Sequence, residues 1–254
     1  MSDFPSITQI EAATLSAWPA ISTMLDGLWL ARFARGYTKR SNSVQCLDVS
    51  DDADAPARLQ RLIDLYLLND LPPIFRVTPL AGPRVIAALD ADGWTRFGET
   101  QVLAMPLDKA FEEPDNCRVM EATDPNWIEA LARLIEANPR ELGILTQILG
   151  LIAPRAAGIL IRDGAGDDVA AAMAVNAGGI GVYLNVVTRV DARGKGYGRG
   201  AMHAALNWTR TAGATHAALQ VVSDNAPAVN LYGSLGFTEA YRYHYRSPSE
   251  AGAS

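Results

Sequence analysis

Arg193-Gly194-Lys195-Gly196-Tyr197-Gly198 is the stretch on which the reading of this chain turns. An apolar, strand-like run precedes it (182–188), and a run of helical patterning follows (199–211). The three glycines let a ligand approach the backbone closely and let successive N–H groups turn toward one point. The start of the following helix adds the positive end of its dipole. Arg189, Arg193, Lys195 and Arg199 gather cations around the loop in a chain whose net charge is −6. Strand, cationic glycine loop and helix, in that order, predict a phosphate cradle. The loop alone does not say whose phosphates it holds.

The rest of the composition narrows the class. At 254 residues, 49% hydrophobic and 20% charged, the chain suits one large domain or two small ones, each with a real core. The acidic balance, concentrated in the first half, speaks against broad binding to nucleic acid or to a membrane surface. Cys46 and Cys117 form no CxxC pattern and read as reduced thiols. His203, His216 and His244 are scattered without ligand spacing, so no metal site is expected. There is no apolar run of about 18 residues and no signal pattern, so a cytoplasmic protein is expected. The oligomeric state leaves no mark in the sequence.

The charged, proline-containing segment 108–116 reads as a linker between two patterned regions, predicting domains over 1–110 and 115–247. In the second, Asp124-Pro125 and Asn138-Pro139-Arg140-Glu141 are helix starts, the latter with a capping-box Glu. Strands are expected over 117–122, 157–162, 169–175, 181–188, 217–222 and 237–246, and a helix over 227–235. The tail 247–254 is expected to lack fixed structure. In the first region, strands are expected over 29–34, 43–47, 74–78 and 100–105, and helices over 58–69 and 83–91. Its order of helix, strand, helix, Gly93-Trp94 and strand repeats the later order of helix, strand, helix, Gly236-Phe237 and strand. This reads as a diverged internal repeat. The first copy has no glycine loop. Where the second has RGKGYGRG, the first carries Asp48, Asp51, Asp52 and Asp54, which would repel a phosphate.

A second motif follows the glycine loop by about thirty residues: Asn225, Ala228, Leu231 and Tyr232, then Gly236-Phe237. With Arg193-x-x-Gly196-x-Gly198, this resembles the paired signature of the GCN5-related N-acetyltransferase superfamily, closely over about 186–237. The resemblance implies an α/β fold of mixed sheet: two halves, each a twisted, mostly antiparallel sheet flanked by helices, the N-terminal half degenerate. It implies an acyltransferase that uses acetyl-CoA and moves the acetyl group to an amine by direct nucleophilic attack. The pyrophosphate would rest on the amides of Gly194, Lys195, Gly196, Tyr197, Gly198 and Arg199, beside Arg193. The strand end Val186-Val187-Thr188 would pair with the pantetheine arm like an added strand, an N–H near Val187 facing the oxyanion. Asn225 would contact the cofactor, and Tyr232 would lie near its sulfur as the candidate acid for the departing thiolate. The acceptor, a small-molecule or peptide amine, is not specified.

Asn225 is also read as a helix cap, and Tyr232 as a packed ring. Glu136, Glu141, Asp191, Asp224 and Glu239 are the carboxylates available to deprotonate an amine, and none stands out. Tyr183, Tyr241, Tyr243 and Tyr245 can line a cleft or form one packed strand face. The basic turn Thr38-Lys39-Arg40-Ser41-Asn42 is read as a contact for an anionic substrate or the CoA 3′-phosphate, or as a solvated hairpin tip. Two rival functions stand beside the enzyme. Gly196-x-Gly198-x-x-Ala201 with Asp224 fits a relaxed dinucleotide fingerprint, but five residues separate strand from glycine and too little chain follows for a full sheet. A CoA-binding sensor without turnover fits a chain with one degenerate copy. No GK[ST] follows the glycines, which excludes a P-loop.

Overall fold

The computed structural model describes residues 4–248. Much of the predicted tail (249–254) therefore lies outside the described residues. The first half runs α1 (Ile7–Ala17), β1 (Ser22–Asp26), β2 (Trp29–Phe33), β3 (Val44–Cys46), α2 (Ala55–Leu68), β4 (Phe75–Val77), α3 (Pro83–Ala91) and β5 (Thr95–Pro106). The second runs β6 (Cys117–Glu121), α4 (Pro125–Leu134), α5 (Pro139–Gly150), β7 (Arg155–Arg162), β8 (Asp168–Ala177), β9 (Ile180–Thr188), α6 (Tyr197–Thr211), β10 (His216–Val222), α7 (Ala226–Leu235) and β11 (Thr238–Ser247).

Local signals account for most of these elements. Asp124 and Asn138 cap α4 and α5 through their side chains, and Asn138 completes its capping box with Glu141. Helix α1 was not expected. Ser6 and Gln9 form a capping box at its start, a signal present in the sequence. Strand β5 is longer than the expected 100–105, and its inner residues Val102, Leu103, Ala104 and Met105 are buried.

The expected repeat is present in the topology, with an exchange. All eleven strands belong to one sheet, ordered β1-β2-β3-β4-β11-β5-β10-β9-β8-β7-β6. Strand β5, which ends the first half, lies between β10 and β11 and pairs antiparallel with both. Strand β11, which ends the second half, pairs antiparallel with β4 of the first. Outward from the β5–β11 pair, either direction meets equivalent strands: β10 then β9 on one side, β4 then β3 on the other, each a parallel pair. The two sheets expected from the sequence are thus joined into one, each half receiving the other's last strand. The mixed α/β class and the antiparallel majority stand.

Helices α1, α4 and α5 pack with Tyr241, Tyr243 and Tyr245 in one apolar cluster. Helices α6 and α7 pack over β5 and β7 to β10 in a second, and α2 and α3 over β2 to β4 in a third. Helix α1 belongs to the first half in sequence but lies on β8 and β9. The linker is docked on α6: Asn207 bonds both the N–H and the carbonyl of Phe111, and Pro114 packs against Gly200.

Candidate active site

From the end of β9 the chain makes a short 3-10 turn (Val190–Ala192) and reaches the glycine loop. Gly194 and Gly196 have φ of +74° and +85°, a region that other residues adopt at a cost. A Cβ at either would meet nothing within 4 Å, so the surface above the loop is open. Gly198 serves a different purpose. A Cβ there would come within 2.9 Å of Thr188 Oγ1, so the glycine lets α6 begin against the end of β9. No side chain caps α6, and its first backbone bond is Gly200 N–H to Gly196 O at 3.0 Å. Among the described residues, no amide from Gly194 through Arg199 has a protein acceptor. A continuous run of unspent donors at a helix start is an anion-binding surface.

The cations around this surface are not equivalent. Arg189 turns to Asp191 (2.7 Å), Asp163 (3.6 Å) and Asp167 (3.8 Å), and its charge is spent there. Arg199 donates to Ser234 Oγ at 2.9 Å, tying α6 to α7. Arg193 and Lys195 are exposed and make no ion pair among the described residues. Three of the four charges are thus uncancelled within the described residues, Arg199 being tethered to Ser234 and Arg193 reaching the Thr188 carbonyl at 3.4 Å.

Beside the loop the sheet opens. Parallel pairing of β9 with β10 stops at Tyr183 and Leu219, whereas β10 continues beside β5 as far as Val222 and Thr100. Beyond Tyr183, β9 pairs with no strand on that side among the described residues. On its other edge, β9 carries a bulge. Leu184 pairs with Met173 and Val187 with Ala171, so Asn185 and Val186 together face Ala172. Asn185 takes a positive φ of 51°, and its buried Nδ2 has no acceptor. The bulge reverses the alternation set by Val182 and Leu184: Val186 packs with the α6–α7 cluster and Val187 with the α1–α4–α5 cluster. No sequence feature announced this bulge, because Asn at a positive φ is indistinguishable in sequence from Asn in a regular strand.

Helix α7 flanks the opening. Asn225 Oδ1 accepts from Ala228 N–H at 3.3 Å, so the residue caps α7, with its amide nitrogen left over. Tyr232 is buried against Phe237, ring centroids 6.0 Å apart. Burial raises its hydroxyl to about 12, and the nearby positive charge of Arg40 opposes the shift. Its hydroxyl makes no hydrogen bond among the described residues. Three of the available carboxylates are engaged: Glu141 in the α5 capping box, Asp191 with Arg189, and Glu239 with Arg242. Tyr241, Tyr243 and Tyr245 form one buried face of β11.

The basic turn is built into the interior. Ser41 and Asn42 are buried, and Asn42 Oδ1 accepts from the N–H groups of Ala34 and Gly36 at 2.7 and 3.0 Å. Thr38 has φ +58° and is held by Trp18 Nε1 at 3.0 Å. Only Lys39 of this turn is solvent-exposed, and Arg40 is half-buried. The solvated-tip reading does not describe it.

Known proteins resemble this chain over most of its length. The family model described as "Probable histone acetyltransferase Rv0428c C-terminal" matches residues 5–246. An N-acetyltransferase of Bacillus subtilis strain 168, YobR, is 28% identical over 94% of this chain and 98% of its own. The structure of a GCN5-related N-acetyltransferase from Kribbella flavida superposes with a TM-score of 0.70 at 18% identity, covering 94% of this chain and 95% of that one. A tandem GNAT protein from the clavulanic acid biosynthesis pathway gives 0.66 at 14% identity, covering 100% and 90%.

Proposed function

The chain belongs to the family of the probable histone acetyltransferase Rv0428c C-terminal region and is an N-acetyltransferase; from that premise we propose that it transfers an acetyl group from acetyl-CoA to an amine through the opening between β9 and β10. The observation that carries the donor assignment is the run of unspent amides from Gly194 through Arg199 beside that opening. Gly194 and Gly196 leave its surface clear, and Arg193 and Lys195 keep their charge available, so these residues fit a pyrophosphate. Val186, Val187 and Thr188, with no strand on their β10 side, offer backbone groups to an extended amide-bearing arm. Asn225 adds its free amide nitrogen.

Acetyl-CoA supplies an activated thioester. The acceptor's neutral nitrogen attacks the acetyl carbon; the C–N bond forms, the C–S bond breaks, and the nitrogen loses one proton while the sulfur gains one. Tyr232, kept protonated by burial, is suited to supply the sulfur's proton. An amide near Val187 is suited to bear the charge on the acetyl oxygen. In this reading, 115–247 is the cofactor-binding domain and 1–110 a degenerate copy that closes the cleft. No helix among the described residues is long and apolar enough to cross a membrane, which is compatible with a cytoplasmic enzyme.

The test is a panel of amines with acetyl-CoA, read as free thiol release, alongside calorimetry of CoA binding. Thiol release that depends on one amine class is expected. Binding of CoA with no turnover on any amine would favour a sensor, and absence of CoA binding would refute the donor assignment.

A further inference from the structure

A small cavity lies where β9 and β10 part. Among its lining residues are Arg32, Arg40, Arg76, Gln45, Leu184 and Gln220. Leu184 and Gln220 are the first residues beyond the last β9–β10 pair, so the cavity marks the apex of the proposed active-site opening.

Its charges do not balance. Arg76 is buried and neutralised by buried Glu11, with Nη2 to Oε1 at 2.9 Å. Arg32 is 3% exposed and has no carboxylate partner among the described residues. It donates to two backbone carbonyls, those of Trp18 and Arg40, which orient the guanidinium without cancelling its charge. Burial and the neighbouring Arg76 bring Arg32 down to about 10. The guanidinium of Arg40 makes neither an ion pair nor a hydrogen bond among the described residues. Three cations thus meet one carboxylate, in a chain that is acidic as a whole.

Unspent donors accompany the unspent charge. Gln45 is 1% exposed; its Oε1 accepts from Arg76 at 3.2 Å, while its Nε2 has no partner. Arg76 Nε is likewise buried without an acceptor. Burying unpaired cations and idle donors opposes folding, and an anion from outside the chain would offset that cost. The turn carrying Arg40 is fixed by Asn42, Ser41 and Trp18 rather than left to settle, as a preformed contact would require.

Size and place identify the kind of anion. The enclosed space is only about 10 Å³, the room of one water, so a ligand meets these guanidinium groups at the cavity's mouth with a compact end group rather than by filling it with a ring or a sugar. At about 3.3 Å per residue, Leu184 is about 13 Å along β9 from Thr188, the residue against which Gly198 of the loop is packed, so this is not the pyrophosphate site. It lies at the acyl end, where Arg40 is the charge that acts on Tyr232. We propose that the acceptor is a small molecule carrying both an amine and a carboxylate, and that Arg40 and Arg32 hold the carboxylate while the amine reaches the bulge at Val186 and Val187. This rests on the acetyltransferase reading of the same opening, and it gives the degenerate half a defined task.

The test uses the intact chain, acetyl-CoA, a series of ω-amino acids of increasing length, and the primary amide of each. One length should be preferred, with kcat/KM for the acid about tenfold or more above that of its amide, as a charge-assisted pair provides. In Arg40→Gln that ratio should fall to about twofold or less, and Arg40→Lys should recover part of it. A turnover-independent arm measures thermal stabilisation by the N-acetylated acids and by their amides, without CoA. Stabilisation by the acids alone, lost in Arg40→Gln, supports the proposal even where no member of the series is turned over. Equal use of acids and amides, a ratio unchanged in Arg40→Gln, or no stabilisation by the acids together with no preference would overturn it. The first two of these outcomes leave acetyl transfer standing, whereas failure of CoA itself to bind defeats the parent reading instead.

Discussion

The loop before α2 and the loop before α6 occupy equivalent places in the two halves, and they differ in the charges set around them. Before α6, amides from Gly194 through Arg199 are unclaimed. Before α2, the chain supplies its own anions. Asp51 accepts from Leu28 N–H and from the Arg58 guanidinium, with Nη2 to Oδ2 at 2.9 Å. Asp52 accepts from Arg84 N–H at 3.1 Å, at the start of α3. Pro56 removes one N–H from the first turn of α2 altogether. Gly82 is closed in by Asp52 and Val49, each within 2.6 Å of where a Cβ would stand. The aspartates of the first copy therefore do more than place negative charge in the loop: they tie it to Leu28, Arg58 and Arg84 of the same half, whereas Arg193 and Lys195 of the second loop make no ion pair among the described residues.

The largest expected effect comes from giving the second loop an anion of its own. Gly196→Asp should weaken CoA binding about 100-fold or more by calorimetry, at a stability cost of about 1–2 kcal/mol from a side chain at φ +85°, the space above Gly196 being open. Near-normal affinity would mean that the two loops do not differ in the way described. The converse change removes an internal ligand from the first loop. Asp51→Ala leaves Arg58, whose side chain is 7% exposed, with Asp26 as its remaining carboxylate. A loss of about 2 kcal/mol is expected in denaturant unfolding, less than for a fully buried pair because Asp51 is 26% exposed. The KM for acetyl-CoA should not move. A shift in that KM would show that the first loop takes part in cofactor binding.

Smaller effects separate chemistry from packing. Tyr232→Phe should lower kcat about 10- to 100-fold with little effect on the KM for acetyl-CoA. An unchanged kcat would reduce Tyr232 to a packed ring. Alkaline stability compares the halves as wholes. Burial raises Tyr66 in the first half and Tyr183, Tyr232 and Tyr241 in the second above the ordinary value of 10.0. The native state then keeps protons that the unfolded state loses, so stability is full below pH 10 and declines as pH rises through 10 toward 12. Urea midpoints at pH 8, 10 and 11 should fall in that order through one shared transition. Two separated transitions would mean that the halves unfold independently despite their joined sheet.

What the sequence made legible was local. The glycine loop, the capping residues at Asp124 and Asn138 and the repeated rhythm of elements each depend on neighbours within a few positions, and each is found where expected. Helix α1 was legible too, since Ser6 and Gln9 announce it. The exchange of β5 and β11 was not, because either strand has the same pattern whichever half it completes. The bulge at Asn185 depends on the register against β8, a relation between strands that no single stretch encodes. Arg40 was noticed as one member of a basic turn, but that its charge is felt at Tyr232 follows from how the two halves meet.

The exchanged strands set a limit on what the gene can lose. A fragment beginning near residue 115 would lack β5 and expose β10 and β11 as raw edges, each with a buried face and no neighbour. A fragment ending near residue 110 would lose β11 from beside β4. Removing either half strips strands from the sheet that completes the other. The half without a glycine loop is held in the molecule by the strands it shares with the half that has one.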